Sequence, residues 1–409
     1  MSTPNGWTSR TIGSLTSFLN SGISRPFVEE NIGLPVLRSN NVQWGRIVLD
    51  DIKYWHEVDP RGADLSKVVP HAGDILINFV NGSRTELGKA AHYKGELSPC
   101  IASTNFFIVR FDPNNMLPTF ANYYFQSQEY RRALHRIVGF TGQGSFNKKE
   151  LGNTRMSTPP LDEQRRIAEI LGAWDEAIEK VGDLIQAKLK LKRGLMQKLF
   201  PAREEGQWVP LKKVAKRLTR KVGNEAVSVL SITATVGFVD QAEKFSRVIA
   251  GAQLERYTLL KKGEFAYNKG NSKPYPQGCI YRLREFERGA VPHVYFSFAI
   301  NNPDADPEFY RYYFEAGGLN RQLCRMINAG VRNDGLLNLN ADDFFKCKVP
   351  QPSLARQQQL ATMFATLDNE IDALKKLHAA LDTQKRGLMQ QLLTGKKRVK
   401  VDAEEAARA

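Results

Sequence analysis

The 409-residue chain is poor in cysteine: Cys100, Cys279, Cys324 and Cys347 stand far apart and form no C-x-x-C pair. That spacing excludes a disulfide framework or a zinc ribbon and points to ordinary thiols in a reducing compartment. No run approaches about 18 consecutive apolar residues, so no membrane-spanning helix is predicted. The opening MSTPNGWTSRTIGSL lacks a basic stretch ahead of an apolar core, so no secretory leader is expected and the expected location is the cytoplasm. Catalytic signatures are missing as well. GSRTELGK at Gly82–Lys89 has five residues between its glycines and no following Ser or Thr, which is not a phosphate loop. There is no glycine fingerprint after a strand, and the histidines at 56, 71, 92, 135, 293 and 378 have no metal-ligand spacing. No DPPY or NPPF tetrapeptide of the amino-methyltransferase kind occurs. Nothing assembles a metal site around Asp342-Asp343 and Lys346. The residues describe a binder that carries no metal or cofactor of its own.

What is abundant is positive charge. Fifty-eight basic against 43 acidic residues give +15 and a pI near 9.6, which points first to a polyanion, most often nucleic acid. Residues 1–160 carry +4 of the excess and residues 201–353 carry +7. With 42% hydrophobic and 10% aromatic residues the chain can build real cores, and its length suits two or three compact units.

The chain also repeats itself. At an offset of 193, Leu161–Phe200 falls on residues 354–393 with 14 of 40 positions identical, including KRGLMQ at Lys192–Gln197 and Lys385–Gln390. Such a match marks a duplication. Weaker echoes lie upstream: NKKEL at Asn147 and NADDF at Asn340, GDILIN at Gly73 and GEFAYN at Gly263, YYF at Tyr123 and Tyr312, and Trp7 and Trp208 opening the copies.

Positions 167, 171, 174, 178, 181, 185, 188, 192, 195 and 199 read Ile, Leu, Trp, Ile, Val, Ile, Lys, Lys, Leu, Leu, and the second copy is similar from 360 to 392. This 3.5-residue spacing predicts two coiled-coil helices, each about 60 Å long, packed antiparallel. Lys192 and Lys385 fall on the seam. Their stems are expected to pack while the ammonium groups reach nearby carbonyls and fix register, the alternative being contact with a partner or a DNA phosphate.

Before each helix, short β-like runs (Asp74–Ile77, Asn105–Val109, Cys279–Tyr281, Val294–Phe298) alternate with Gly, Asn, Pro and Ser, and a helix is predicted at Phe120–Ile137 and at Pro307–Ile327. The fold class is therefore α+β: two similar domains at 1–158 and 201–351, separated by long helices at 159–200 and 352–394, with a basic, flexible tail at 395–409. Polar loops with basic flanks interrupt the strands. Candidate nucleic-acid contacts are Asn78, Asn81, Ser83, Arg84, Gln143, Ser145, Asn147 and Lys148 in the first copy. Those in the second are Asn268, Lys269, Asn271, Ser272, Lys273, Arg332 and Asn333. Arg, Asn and Gln can read base edges, while Lys and Ser hold phosphates.

The sequence PPLDEQRRIAEIL at Pro159–Leu171, the closing KRGLMQKLF and their echo at Pro352–Leu393 resemble the specificity (S) subunits of type I restriction–modification systems. GDILIN and FNKKEL also look like that family's target-recognition domains. The resemblance implies that each domain reads one half of a split double-stranded DNA target and that the helices set the gap. It further implies two methyltransferase (modification) subunits docked on the helices, and restriction (motor and nuclease) subunits. S-adenosylmethionine, ATP and Mg are then expected on those partners. Exposed helix faces beside the seam, Arg165, Arg166, Glu169 and Glu176 with Gln358, Gln359 and Thr362 in the second copy, are the candidate partner interface. The alternatives are a coiled-coil scaffold binding protein or RNA without sequence specificity, and a stand-alone restriction or modification enzyme with a divergent site.

Overall fold

The computed structural model describes residues 4–138, 144–200, 207–223, 225–233, 236–244, 254–270, 275–327 and 337–400. The chain divides into two compact units, Met1–Gly182 with Leu377–Ala409, and Asp183–Lys376. Each unit therefore owns half of each long helix. The reason lies in the cores: Ile167, Leu171, Met389 and Leu392 are buried with the first globular body, and Met196, Phe200, Leu360 and Phe364 with the second.

In unit 1 the main strands are β1 (Thr8–Thr11), β2 (Thr16–Ser21), β3 (Ile75–Asn78), β4 (Ala90–His92), β5 (Phe106–Phe111) and β6 (Arg155–Thr158). Four of them form an antiparallel sheet in the order β2-β5-β3-β4, with Phe107 opposite both Ile77 and Ser21, while β1 pairs with β6. In unit 2 the strands are β7 (Gln207–Pro210), β8 (Ala215–Arg217), β9 (Phe265–Asn268), β10 (Cys279–Arg282), β11 (Phe296–Ile300) and β12 (Lys348–Gln351). The order β8-β11-β9-β10 and the β7-β12 pair repeat the same antiparallel plan. The duplication thus extends through the globular bodies. Strand register aligns Ser9 with Trp208, since Ser9 faces Ser157 and Trp208 faces Pro350; Trp7 precedes its strand, so the two tryptophans are not equivalent.

Unit 1 carries helices α1 (Pro118–Gln126), α2 (Gln128–Ile137) and α3 (Lys148–Asn153), and unit 2 carries α4 (Pro307–Glu315), α5 (Asn320–Met326) and α6 (Ala341–Lys346). Each predicted single helix is thus two. Ser127 breaks the first: its hydroxyl accepts from the Tyr130 N–H at 3.2 Å and caps α2. In the second, Gly317 adopts φ +74°, a conformation that ends α4 and that glycine tolerates.

The long helices run Leu161–Leu199 and Leu354–Leu393. No predicted seam position is exposed. Asp175 meets Lys385 in unit 1, and in unit 2 Lys188 meets Glu370 while Lys192 meets Asp368; the falling partner numbers make the pairing in unit 2 antiparallel. In unit 1 Arg398, just past the second helix, reaches Glu163 at the start of the first. That contact corrects the flexible-tail expectation for residues up to 400: Arg398 donates twice to Glu163 at 2.7 Å and lies 5.9 Å from the Trp7 ring centroid. A nearly buried carboxylate demands such a partner. Residues 401–409 lie outside the described residues. Among the described residues no helix is long and apolar enough to cross a membrane.

Candidate nucleic-acid interface

The GDILIN and GEFAYN stretches turn out to build the central strands β3 and β9. Gly73 and Gly263 both take positive φ, +101° and +91°, which permits the tight entry turn. The acid that follows closes it. Asp74, fully buried, accepts two bonds from Arg110 at 2.8 and 2.9 Å and one from the His71 N–H at 2.7 Å. Glu264 accepts from Arg220 and, at 2.7 Å, from the Lys261 N–H.

At the exit stand the two asparagines proposed as base readers, and the structure assigns them another task. Asn78 is fully buried, donates to the Asn105 carbonyl at 3.3 Å and accepts from Asn81 at 3.3 Å. Asn268 donates to the Ile232 carbonyl at 3.1 Å and accepts from the Gly270 N–H at 2.9 Å. With both amide atoms engaged, these side chains shape the loops that follow and are removed from the set of base readers. Asn147 leaves it too: it caps α3 in a reciprocal box with Glu150, and Asn340 caps α6 through the Asp343 N–H. The NKKEL and NADDF echo is therefore a capping signal.

The remaining loop residues do come together. Gly144-Ser145 pairs antiparallel with Val80-Asn81, and the Phe146 N–H donates to the Phe79 carbonyl at 3.2 Å, so both candidate loops of unit 1 form one patch. Its floor is aromatic, with Phe79 stacked on Phe107 at 4.0 Å. Asn81 accepts from the Ser83 N–H at 2.9 Å, and the Ser83 and Thr85 hydroxyls lie 2.8 Å apart. Ser83, Arg84 and Ser145 are exposed. Arg131 braces the loop, donating to the Thr85 carbonyl at 2.9 Å while stacking 4.2 Å over Trp44. Lys148 is exposed and donates to Asn20 at 2.7 Å. In unit 2 the Leu337 N–H donates to the Lys269 carbonyl at 2.9 Å, and the Lys269 ammonium sits 5.4 Å from the Phe296 ring centroid. Gln143, Asn271, Ser272, Lys273, Arg332 and Asn333 lie outside the described residues.

Each globular body is tied to its helices by the same side chains. Lys192 reaches Asp368 at 2.7 Å and Glu315 at 2.6 Å and lies 5.3 Å from the Tyr312 ring centroid, while the Tyr312 hydroxyl donates to Asp368 at 2.7 Å. Lys385, Asp175 and Tyr123 repeat the triad, with Tyr123 donating to Asp175 at 2.7 Å. The seam lysines thus end on carboxylates instead of carbonyls. Burial opposes the charge on Asp368, yet the bonds from Lys192 and Tyr312 outweigh it and hold its carboxyl below the ordinary range.

A second tie escaped the sequence reading. Gln164, fully buried, accepts from the Leu117 N–H at 2.8 Å and donates to the Asn115 and Pro159 carbonyls. Gln357 does the same with the Asp306 N–H and the Asp304 and Pro352 carbonyls. The signal was available: within DEQRR and its counterpart ARQQQ only this glutamine is retained.

The candidate partner face is open. Arg165, Arg166, Glu169, Glu176, Gln358, Gln359 and Thr362 are all exposed, several in local pairs such as Arg166–Glu169 at 3.3 Å and Glu176–Lys180 at 2.6 Å. Sequence reasoning missed two leucines off the seam. Leu184 and Leu377 are identical at the repeat offset and stand 50% and 47% exposed.

Comparison with known proteins agrees with this architecture. A family model described as type I restriction modification DNA specificity domain matches residues 59–189. A putative type I restriction enzyme specificity subunit, MjaX, of Methanocaldococcus jannaschii is 22% identical, the match covering 97% of this chain and 95% of the relative. The MjaVIII specificity subunit of the same organism is 26% identical over 64% of this chain and 66% of its own. Among solved structures, the S subunit of a type I system from M. genitalium shares the fold with a TM-score of 0.53 at 16% identity, covering 96% of this chain and 98% of that one. With a duplicated helix, a duplicated sheet and a relative that matches it almost end to end, the chain is similar over nearly its whole length to the specificity subunits of type I restriction–modification systems.

Proposed function

We propose that each globular unit reads one half of a bipartite double-stranded DNA target, and that the long helices set the unread gap and dock two methyltransferase subunits. The observation that carries this reading is the repetition of one assembly in both units. Each has a strand-ending asparagine whose amide is engaged at both atoms and a Lys–Asp–Tyr triad tying the body to the helices, and in unit 1 two polar loops pair at the asparagine's corner. Loops on a rigid support suit base readout, because backbone and phosphate contacts position a protein while loop side chains discriminate. In unit 1 the reading set is Asn81, Ser83, Arg84 and Ser145, with Lys148 placed for phosphate; in unit 2 it is Lys269 with Asn271, Ser272, Lys273, Arg332 and Asn333, and Gln143 completes the first set.

For docking, Leu184 and Leu377 supply two equivalent apolar anchors, and the exposed charged and amide residues named above supply a polar rim. In this reading the chain is a cytoplasmic, non-catalytic subunit that binds no cofactor; S-adenosylmethionine, ATP and Mg belong to the modification and restriction subunits.

Genome-wide adenine methylation with and without the gene tests target reading. Loss of one split motif on deletion supports it, and an unchanged methylome in cells shown to express active modification subunits refutes it. Docking is tested by co-purification: Leu184→Lys with Leu377→Lys should release the modification subunits from a folded chain, and full retention refutes the assignment.

A further inference from the structure

Unit 2 has an edge that unit 1 lacks. The stretch Leu211–Lys221 contains Lys212, Lys213, Lys216, Arg217, Arg220 and Lys221 and no acid. It runs from a short 3-10 turn into β8, the edge strand of the sheet. Arg220 is committed to Glu264. The other five side chains are exposed, and among the described residues none makes a hydrogen bond or ion pair. These five exposed cations lie in a segment, residues 201–353, that carries a net charge of +7.

Their direction matters. Arg217 faces Phe298 and the Leu218 N–H donates to the Ser297 carbonyl at 2.8 Å, so the chain advances beside β11 toward Phe296, the residue under the Lys269 ammonium. Strands in a sheet lie about 4.8 Å apart, which puts β8 about 10 Å from β9, the strand that ends next to Lys269. In unit 1 the matching stretch, Gly13 to Gly22, contains no charged residue. Its edge strand is occupied differently: Asn20 donates to the Lys67 carbonyl at 3.0 Å and accepts from Lys148.

We propose that the Lys212–Lys221 edge is a sequence-independent phosphate-binding strip that lays one DNA backbone beside the reading loop of unit 2. The proposal rests on the specificity-subunit reading and deepens it: unit 2 contributes more of the non-specific affinity, and unit 1 depends more on its base contacts. The competing use of edge lysines is to block strand-to-strand association. That use does not call for so many charges, and this edge carries five exposed cations within ten residues.

The test is the salt dependence of binding by the full chain to a 40-bp duplex of arbitrary sequence, compared with K212Q/K213Q/K216Q/R217Q/K221Q. Each neutralised phosphate contributes about 0.9 to the slope of log K against log salt. The variant's slope should therefore fall by about 4 to 5, with the methylated motif in cells unchanged. A charge-matched variant on the helices, K190Q/R193Q/K198Q/K376Q/R386Q, should change the slope by less than about 1. An unchanged slope in the strip variant overturns the proposal, as does an equal fall in the charge-matched variant. If the wild-type chain itself shows no salt-dependent binding, the specificity reading falls with it.

Discussion

Replacing Lys192 by Met should destabilise unit 2 by about 2 kcal/mol at neutral pH, a figure set between two limits. Fully buried ion pairs broken on one side cost about 3–5 kcal/mol, and exposed pairs about 0.2–1. The Lys192 side chain is 11% exposed, but Asp368 is 26% and Glu315 40% exposed, so water softens the loss. Asp368 also keeps the Tyr312 hydroxyl and, at 3.4 Å, Arg311 after the substitution, which moves the estimate away from the upper limit. Met retains most of the stem's packing, so the loss isolates the ammonium group. Lys385→Met should cost less, about 1 kcal/mol, because Asp175 is 48% exposed and, among the described residues, no arginine pairs with it.

Guanidinium unfolding followed by Trp208 fluorescence reads the effect. Trp208 is the single tryptophan of unit 2, the others being Trp7, Trp44, Trp55 and Trp174, and replacing those four by Phe in both proteins gives a clean signal. The pH dependence supplies an independent check. Because the folded Asp368 pKa is lowered, its contribution is complete above the unfolded value, about 3.9, and is lost as pH falls through the folded value. The difference between wild type and Lys192→Met should therefore shrink below about pH 4. A variant as stable as wild type at pH 7, or a difference that persists undiminished at pH 2, refutes the reasoning.

Gln164→Ala leaves the Leu117 N–H and the Asn115 and Pro159 carbonyls without their partner; a loss of about 2–3 kcal/mol is expected and calorimetry checks it. Asn147→Ala removes a helix cap and should cost about 1 kcal/mol while leaving the methylated motif unchanged, whereas Arg84→Ala should alter the motif with little change in melting. Arg398→Ala strips two bonds from Glu163, whose side chain is 4% exposed. About 2 kcal/mol should be lost from unit 1, and Arg356→Ala, at the position of the second helix equivalent to Glu163, should do almost nothing in a thermal melt because among the described residues its guanidinium meets only the exposed Gln359.

The helices were legible because burial repeats with their period: every seam position read from the sequence is at least partly covered. The duplication was legible for the same reason, since a seam constrains residue type at many positions together. The candidate loops obey no period. Asn78, Asn81 and Asn147 look alike in sequence, yet one is sealed under a strand end, one bridges within a turn and one caps a helix. Asparagine serves all three tasks through the same amide, so composition alone could not sort them. The capping role of Asn147 could have been read from Glu150 three residues on. The break at Ser127 has no comparable signature, because Gln128–Ile137 continues the apolar pattern of the helix before it.

What the two copies share and where they part follows from the number of elements each side chain joins. Lys192, Asp368 and Tyr312 connect both long helices and a short helix of the globular body, so a change in any one disturbs two interfaces, and all three recur as Lys385, Asp175 and Tyr123. Gln164 and Gln357 each hold a helix start against a loop and recur likewise. By contrast, the residue after the strand-ending asparagine differs: Phe79 in one copy becomes Lys269 in the other, over the matching Phe107 and Phe296. The edge strands differ further still, neutral at Gly13–Gly22 and basic at Lys212–Lys221. The two copies therefore differ most at exposed loops and edges and least at the side chains that join several elements, the distribution expected where a retained scaffold carries variable surface segments.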